Sequence, residues 1–550
     1  MGLLDPLPTP YDPIAWSRLP LPERSRLVCQ AWALQGYGTP LGVYAAYGLK
    51  VLLYVGGWVA FCATSPSLGP VGTVGGWWLE PLAFQKAILW SMLFEGVGLG
   101  CGSGPLTGRY LPPVGGFLYW LRPGTTKLSL LEGVPGVGGR TRTWLDVLLY
   151  AAFLVLSLRA LTAPTLGPAE LWPLAVLPPV LGLLDKTLFL ALRAEHYWVT
   201  IVGFVAVDDW IPAAMAVQLA LWFWAGFSKL NAHFPAVICV MTSNSPFGRS
   251  GWLRRRMYVR YPDDLRPSRL AHVLAHLGTA LELGVPILFV ASMATGRHEV
   301  LVGAMAAMLV LHVYITSNVP MGVPIEWNVM VVYGAFALFW AHPDVTVLDL
   351  RSPLLGAFLA VMLVGLPLLG NFFPERLSFL FSMRYYAGNW AYSVWLFSGG
   401  SHRKLDRLTK SAAWIPDQLS RFYDPATATG LIGKVMAFRM MHLHGRALAE
   451  LIPKAVDRFE DVEYVDGELV AGLALGWNFG DGHLHHERLL RNLTAQCGFA
   501  AGEVRCIFVE SQPAGRARLG YRIVDAVDGV LEAGSIPVRR LLAQQPWGTG

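Results

Sequence analysis

Apolar positions in the first 370 residues occur in long, nearly uncharged runs, each close to the length of a membrane-spanning helix. A helix rises about 1.5 Å per residue, so about 20 residues cross the roughly 30 Å hydrocarbon layer of a bilayer. Pro178 and Pro179 lie inside the fourth run, where we expect a kink or a break. The runs predict about ten spans, at 41–63, 84–100, 144–163, 171–192, 196–208, 211–229, 272–295, 299–317, 326–341 and 354–370.

The pattern changes after residue 370, where the apolar runs become shorter. Residues 378–397 are aromatic but are interrupted by polar residues, which favours a helix on the membrane surface, with an eleventh span as the alternative. The Asp-Gly pair at 528–529 lies between two apolar runs and is typical of a hairpin turn. We predict helices at 431–457 and 484–496, and strands at 468–477, 503–511, 518–525 and 530–536.

Together these patterns predict an all-α polytopic membrane bundle of about ten transmembrane helices, followed by a small cytoplasmic α+β domain. Residues 21–35 have helical apolar spacing with two arginines opposite, which favours a helix on the membrane surface; an irregular segment packed on the bundle is the alternative. The predicted divisions are an N-terminal cytoplasmic or interfacial segment (1–40), the transmembrane domain (41–370), an interfacial amphipathic segment (371–400) and the C-terminal domain (401–550).

The composition agrees with a membrane protein. Hydrophobic residues make up 54% of the chain and charged residues 15%, against about 25% charged in soluble domains, and the mean hydropathy is +0.44. The net charge of +6 comes largely from arginines in the predicted loops and the C-terminal third, so we expect no nucleic-acid partner. The six cysteines form no CxxC pair, which argues against a disulfide framework or a zinc ribbon.

Basic residues alternate along the successive predicted loops. The number of Lys and Arg is three in 1–40, none in 64–83, five in 101–143, none in 164–170 and seven in 230–271. Loops rich in Lys and Arg stay in the cytoplasm. We therefore expect a multi-pass protein of a bacterial inner membrane with both termini in the cytoplasm, and no cleavable signal peptide in the first 40 residues.

Ionisable residues in or at the ends of the predicted spans mark a candidate site, because charge in hydrocarbon is costly. Each alone is more often a structural hydrogen-bonding group, but together they favour a polar cavity. Lys229 stands out, since a desolvated lysine can act as a general base; a cation balancing a helix C-terminus is the alternative. The candidates are Asp185, Lys186, His196, Asp208, Lys229, His276, Glu282 and His312.

Three segments carry a resemblance to a known family. WFWAGFSKLNAHF (222–234), AEHYWVTIVGFV (194–205) and LHVYITSNVPMGVPIEWNVM (311–330) resemble, in order and spacing, segments of the vitamin K-dependent gamma-carboxylase superfamily, also called the horizontally transferred transmembrane (HTTM) domain. The resemblance covers about residues 140–345. The whole chain also resembles a bacterial multi-pass transmembrane family of about this length, which implies no activity.

The resemblance implies Lys229 as the base that deprotonates a hydroquinone, with His196 at the family's functional histidine. The sequence departs from the family at Ser228, at Glu195 and in lacking the large C-terminal domain, so protein gamma-carboxylation is not expected. What the resemblance leaves is an enzyme acting by proton abstraction on a quinol, phenol or isoprenoid-like molecule, with a quinone or hydroquinone as the cofactor to consider. A lipid or small-molecule transporter, and a scaffold recruiting a cytoplasmic protein partner through its C-terminal domain, are the alternatives.

A histidine-rich tract lies near the C-terminus. His483 and His486 in FGDGHLHHERLL (479–490) are three apart and would share one face of a helix. Such tracts can bind transition metals, but no defined zinc spacing is present. Solvated imidazoles at the start of a helix are the alternative, and no other metal site is predicted.

Overall fold

The computed structural model describes residues 2–102, 108–111, 115–318, 324–480 and 482–548. Apart from the short hairpin at 258–267, the regular secondary structure described before residue 373 is helical. Two π-helical stretches, Ala335–Trp340 and Val361–Gly365, continue α16 and join α17 to α18. The helices of this region are α1 Pro13–Trp16, α2 Leu21–Gln35, α3 Leu41–Cys62, α4 Val74–Trp77, α5 Pro81–Gly96, α6 Phe117–Trp120, α7 Trp144–Thr162, α8 Pro168–Leu184, α9 Lys186–Ala191, α10 Tyr197–Ala206, α11 Ile211–Ser228, α12 Phe234–Asn244, α13 Gly251–Arg256, α14 Arg269–Thr295, α15 His298–Thr316, α16 Ile325–Gly334, α17 Pro353–Ala360 and α18 Leu366–Phe372.

Six helices among the described residues are long and apolar enough to cross a membrane. They are Leu41–Cys62, Trp144–Thr162, Ile211–Ser228, Arg269–Thr295, His298–Thr316 and Pro353–Phe372. Shorter apolar helices, of 10–17 residues, occupy Pro168–Leu184, Tyr197–Ala206, Phe234–Asn244 and Ile325–Trp340. Helices this short fall below the length of about 20 residues that crosses the hydrocarbon layer. The structure therefore supports a multi-pass bundle, and six spans rather than ten meet the criterion.

The fourth predicted span is interrupted at a different place than expected. Pro178 and Pro179 lie within the continuous helix α8, and the chain leaves helical geometry at Asp185, where φ is −154°. The Asp185 carboxylate accepts a hydrogen bond from the Thr187 N–H and so caps the first turn of α9. The break therefore follows from a buried capping aspartate and not from the two prolines.

The C-terminal region forms a five-stranded antiparallel sheet with flanking helices. The strand order is β4-β3-β5-β6-β7, and β3 pairs with both β4 and β5, so that Trp395 lies opposite Val465 and Cys506. The strands are β3 Tyr392–Ser398, β4 Val462–Asp466, β5 Val504–Val509, β6 Arg518–Asp525 and β7 Gly529–Pro537; a separate hairpin before α14 consists of β1 Tyr258–Arg260 and β2 Asp264–Pro267. The helices are α19 Ile415–Leu419, α20 Pro425–Met441, α21 Leu448–Ala455, α22 Gly467–Leu475, α23 Glu487–Cys497 and α24 Val538–Ala543.

The last part of the chain agrees best with the sequence prediction. The hairpin at Asp528-Gly529 is confirmed, since β6 and β7 pair across it. The predicted strand at 468–477 is wrong, because Asp466 caps the N-terminus of helix α22 there. The prediction for 378–397, whether as a surface helix or as an eleventh span, is also wrong, because the segment leads into β3, an inner strand of the sheet that is nearly fully buried. A strand buried on both faces is continuously apolar and resembles a membrane segment in sequence.

Helix α2 connects the two regions. It has the predicted bounds, but Val28, Cys29 and Trp32 are buried between α12 and α20, and do not face a membrane surface. The rings of Trp32 and Phe438 lie 5.8 Å apart. The C-terminal region is therefore packed directly against the helical bundle, and the candidate site lies at this junction.

Candidate functional site

A large, mostly apolar cavity lies where the helical bundle meets the C-terminal region and has a volume of about 580 Å³. Its walls come from α11, α12, α14, α15 and the start of α16, and from chain segments around residues 379–390 and 478–480. Most of the lining is aliphatic or aromatic, and polar side chains occur in a few places. This combination is typical of small-molecule sites.

The cavity extends to the outer surface of the bundle between α14 and α15. Leu277 and Val310 line it and are each 62% exposed, and Leu274 and Tyr314 are also exposed lining residues. Both helices are candidate membrane spans. Exposed apolar residues on such helices face lipid, so the cavity has an apolar opening toward the bilayer.

Lys229 and Glu282 form a buried ion pair in the cavity wall. Lys229 Nζ lies 2.6 Å from Glu282 Oε2, and it also donates hydrogen bonds of 3.1 Å to the carbonyl oxygens of Ala225 and Tyr385. The close approach of α11 and α14 depends on Gly226, where a Cβ atom would lie 2.8 Å from the Leu283 side chain. Three acceptors surround the amine, an arrangement that suits an ammonium group with three N–H donors.

His312 also lines the cavity, with both ring nitrogens occupied. The Trp222 indole N–H donates to His312 Nε2 at 2.9 Å, which assigns the ring proton to Nδ1 and directs it to Asn328 Oδ1. Asn328 Nδ2 in turn donates to the His312 carbonyl at 3.1 Å. His312 is therefore held as a neutral imidazole that orders α11, α15 and α16 around the cavity.

His196 lies behind the cavity wall. Its Nδ1 accepts a hydrogen bond of 3.1 Å from the indole of Trp327, which lines the cavity. The Trp327 ring lies 4.9 Å from that of Tyr385, whose carbonyl accepts from Lys229. The structure thus brings His196 and Lys229 to one site, although Trp327 and Tyr385 separate them.

Sequence reasoning missed a second buried ion pair at this site. Arg193 Nε donates to Glu195 Oε1 at 2.8 Å, and Arg193 Nη1 contacts Cys101 Sγ at 3.1 Å. The Tyr385 hydroxyl donates to the same Glu195 oxygen at 3.1 Å. Arg193 has a φ of 51°, which is uncommon for a non-glycine residue. This backbone conformation marks Arg193 as unusual, and it cannot be recognised from the sequence.

Among the described residues, Glu95, Cys101 and Glu326 form the one group of three potential metal ligands, with donor atoms within 4.8 Å of one another. Neighbouring groups already engage them. Lys50 Nζ lies 2.7 Å from Glu326 Oε2, and the Cys101 thiol and backbone N–H donate to Glu95 at 3.0 and 2.8 Å. A divalent metal could bind to Glu95, Cys101 and Glu326 only by displacing these hydrogen-bond and ion-pair partners.

Several buried polar groups that line the cavity have no hydrogen-bond partner among the described residues. Asn478 is fully buried, and neither its amide oxygen nor its amide nitrogen is paired. Three further buried groups in the described lining also lack a hydrogen-bond partner: the Tyr386 hydroxyl, the Trp390 indole N–H and Arg193 Nη2. Buried polar groups are normally satisfied, so these positions mark where a bound molecule can contribute donors and acceptors.

Four of the predicted candidates lie elsewhere. Asp185 pairs with Arg142 and accepts from the Leu128 N–H at 3.2 Å, which makes it part of the loop structure. Lys186 donates to the His483 carbonyl. Asp208 and His276 are exposed on the outside of the bundle. None of these four lines the cavity.

The two C-terminal histidines are structural in this arrangement. His486 Nδ1 accepts from the Arg488 N–H at 3.1 Å and caps α23, while His483 Nε2 lies 3.5 Å from Glu510 Oε2. Burial alone would raise the pKa of Glu510, but His483 and Arg522 outweigh it and lower that pKa to about 2. Neither histidine belongs to the group of potential metal ligands found among the described residues.

A family model described as "Transmembrane protein of unknown function (DUF3556)" matches residues 1–550. No curated protein and no solved structure matches the chain. The match covers the whole chain and supports its assignment as a transmembrane protein. It lends no support to the gamma-carboxylase resemblance.

Proposed function

The chain belongs to this DUF3556 family of transmembrane proteins, and from that premise we propose that it binds a lipophilic small molecule drawn from the bilayer. The polar head of that molecule lies against the Lys229–Glu282 pair and its apolar part lies between α14 and α15. The observation that carries the proposal is the cavity of about 580 Å³, which is apolar toward lipid and has unpaired buried polar groups in its wall.

The size and the opening both support a ligand from the membrane. Pockets for small molecules commonly measure about 300–1,000 Å³. Leu277 and Val310, each 62% exposed, form a path that an apolar chain can follow without entering water. A water-soluble substrate gains nothing from such an opening.

The charges of the site favour a neutral polar head. Lys229 is paired with Glu282, and Arg193 with Glu195. The described lining residues therefore leave no unpaired cation that would favour a phosphate or carboxylate. The unpaired amide of Asn478 offers one donor group and one acceptor to a hydroxyl or carbonyl. A quinol, a phenol or an isoprenoid alcohol has this chemistry, which agrees with what the HTTM resemblance implies.

The ion pair also supports proton transfer as the chemistry of the site. A hydroxyl of the ligand that reaches Glu282 can pass its proton to the carboxylate, and the Lys229 ammonium then stabilises the remaining oxyanion. In this arrangement Glu282 accepts the proton and Lys229 acts through its charge. His196 helps to position Trp327 in the wall.

Lipid extraction and mass spectrometry of the purified full chain test the proposal. Gly278 lines the cavity, so Gly278→Trp fills it, whereas Gly284, on the same helix α14, has no heavy atom within 4 Å of an added Cβ and does not line it. We expect a lipophilic molecule to co-purify with the wild type and with Gly284→Trp but not with Gly278→Trp. Equal recovery from all three proteins, or from none, would refute the proposal.

A further inference from the structure

A second cavity, distinct from the first, lies between the loop 129–140 and helix α23 and measures about 600 Å³. We call it the basic pocket, after Arg140, Arg488 and Arg491 in its lining. Glu132 is the one carboxylate among its lining residues and lies 2.6 Å from Arg488. Arg140 and Arg491 are exposed and have no ion-pair partner in the described part of the chain. The pocket therefore carries two uncompensated positive charges.

The fold places the basic pocket at one surface of the membrane. Helices α7 and α8 pack side by side and are joined by a short loop, so the first turn of α7 and the last turn of α8 lie at the same end. The loop is fastened there, because the Leu130 N–H donates to the Leu183 carbonyl at 2.9 Å. Arg140 precedes α7 by only four residues, a reach of at most about 14 Å.

Exposed apolar side chains mark the level of the lipid. Trp144, the first residue of α7, is 67% exposed, and Leu148 one turn later is 63% exposed. A tryptophan at the end of a span is typical of the membrane–water interface. Leu130 and Val134, in the loop that lines the pocket, are also exposed. The pocket thus opens beside the position of lipid headgroups.

We propose that the basic pocket binds the phosphate headgroup of an anionic phospholipid, with the acyl chains along the exposed face of α7. A guanidinium group donates two parallel hydrogen bonds to phosphate oxygens, and Arg140 and Arg491 are both available for this contact. Gly133, Gly138 and Gly139 leave the loop backbone without side chains where the headgroup would lie. Basic pockets at a membrane surface recognise anionic headgroups in this way. The site is independent of the ligand proposed for the first cavity.

Native mass spectrometry of the full chain in detergent, titrated with phosphatidylglycerol, phosphatidylcholine or inorganic phosphate, tests the assignment. We expect the wild type to retain phosphatidylglycerol in preference to phosphatidylcholine. The double variant Arg140→Gln/Arg491→Gln should lose about tenfold or more in affinity, because two charge-assisted contacts to phosphate are removed. Binding of inorganic phosphate as tight as that of phosphatidylglycerol would overturn the lipid as the source of the phosphate.

Two further variants keep the test specific. Arg297→Gln/Arg351→Gln removes the same charge from two exposed positions beside other candidate spans and should bind phosphatidylglycerol as the wild type does. Glu132→Gln releases Arg488 from its ion pair and should strengthen binding. The proposal fails if both double variants weaken binding equally, if neither does, or if Glu132→Gln leaves the affinity unchanged.

Discussion

At the scale of single residues, we expect the loss of either partner of the Lys229–Glu282 pair to destabilise the fold. The two side chains are only 9% and 7% exposed, so removing one partner leaves the other charge buried without compensation. Such losses amount to about 3–5 kcal/mol, whereas replacing both partners with apolar residues is often nearly neutral. The pair therefore contributes specificity and chemistry more than net stability.

Single and double substitutions separate these contributions. We expect Lys229→Met or Glu282→Met alone to lower the free energy of unfolding by about 3–5 kcal/mol, and the double variant to recover most of it while losing the co-purifying molecule. Lys229→Arg should keep the fold, because the charge remains. Thermal unfolding in detergent gives the stabilities, and a double variant less stable than either single variant would contradict the buried-pair argument.

Glu510 predicts a pH dependence in the C-terminal region. Its pKa is about 2 in the folded chain, lowered from 4.5, so the unfolded chain takes up this proton first as the pH falls. The stabilisation is complete above pH 4.5 and is lost as the pH falls from 4.5 toward 2. We expect Glu510→Gln to be less stable than the wild type near neutral pH, and the difference to shrink in that window. Glu299→Gln, at an exposed position, is the control.

The sequence identified some site residues and not others, for a physical reason. Lys229, Glu282 and His312 were predictable because each is a polar residue within or at the end of a long apolar run. Asn478 and Tyr385 were not, since they reach the cavity from the C-terminal region, and no local pattern reports contacts across 150 or more residues. Asp208 and His276 have the same sequence signal as the others but lie outside.

At the scale of elements, capping side chains determine where two helices begin, which the spacing of apolar residues did not predict. Asp185 starts α9 and Asp466 starts α22, and both elements were predicted differently from their apolar residues alone. The turn at Asp528-Gly529 was recognisable because its chemistry is local, and Gly529 indeed has a φ of 78°. Fully buried elements lose the alternation that distinguishes a strand from a helix.

Asp185 tests this view of α9. Asp185→Ala removes the cap and leaves the Arg142 side chain, which is 1% exposed, without its carboxylate. Loss of a cap costs about 1 kcal/mol and an unpaired buried charge about 3–5 kcal/mol, so we expect a strong fall in the free energy of unfolding. Asp208→Ala, at an exposed position, should change it by less than about 0.5 kcal/mol. Similar melting temperatures for the two variants would show that Asp185 is not structural.

At the scale of the whole molecule, the orientation in the membrane follows from the alternating basic loops. We predict that residues 230–271 and both termini face the cytoplasm and that loop 164–170 faces outward. This orientation requires the shorter helices α5, α8 and α10 to cross the membrane in addition to the longer candidate spans. Arg255 and Thr165 are exposed positions in these two loops, and all six native cysteines are buried, which keeps background labelling low. An impermeant thiol reagent applied to intact cells should label Thr165→Cys and not Arg255→Cys. The reverse result would invert the orientation.

The central claim, a lipophilic molecule in the cavity between the bundle and the C-terminal region, is tested most directly by the density inside that cavity. Cryo-electron microscopy of the chain purified from its native membrane should show one elongated feature between α14 and α15 that ends beside Lys229 and Glu282. In Gly278→Trp the indole should occupy this place. A wild-type cavity without such a feature, or an unchanged feature in Gly278→Trp, would contradict the account.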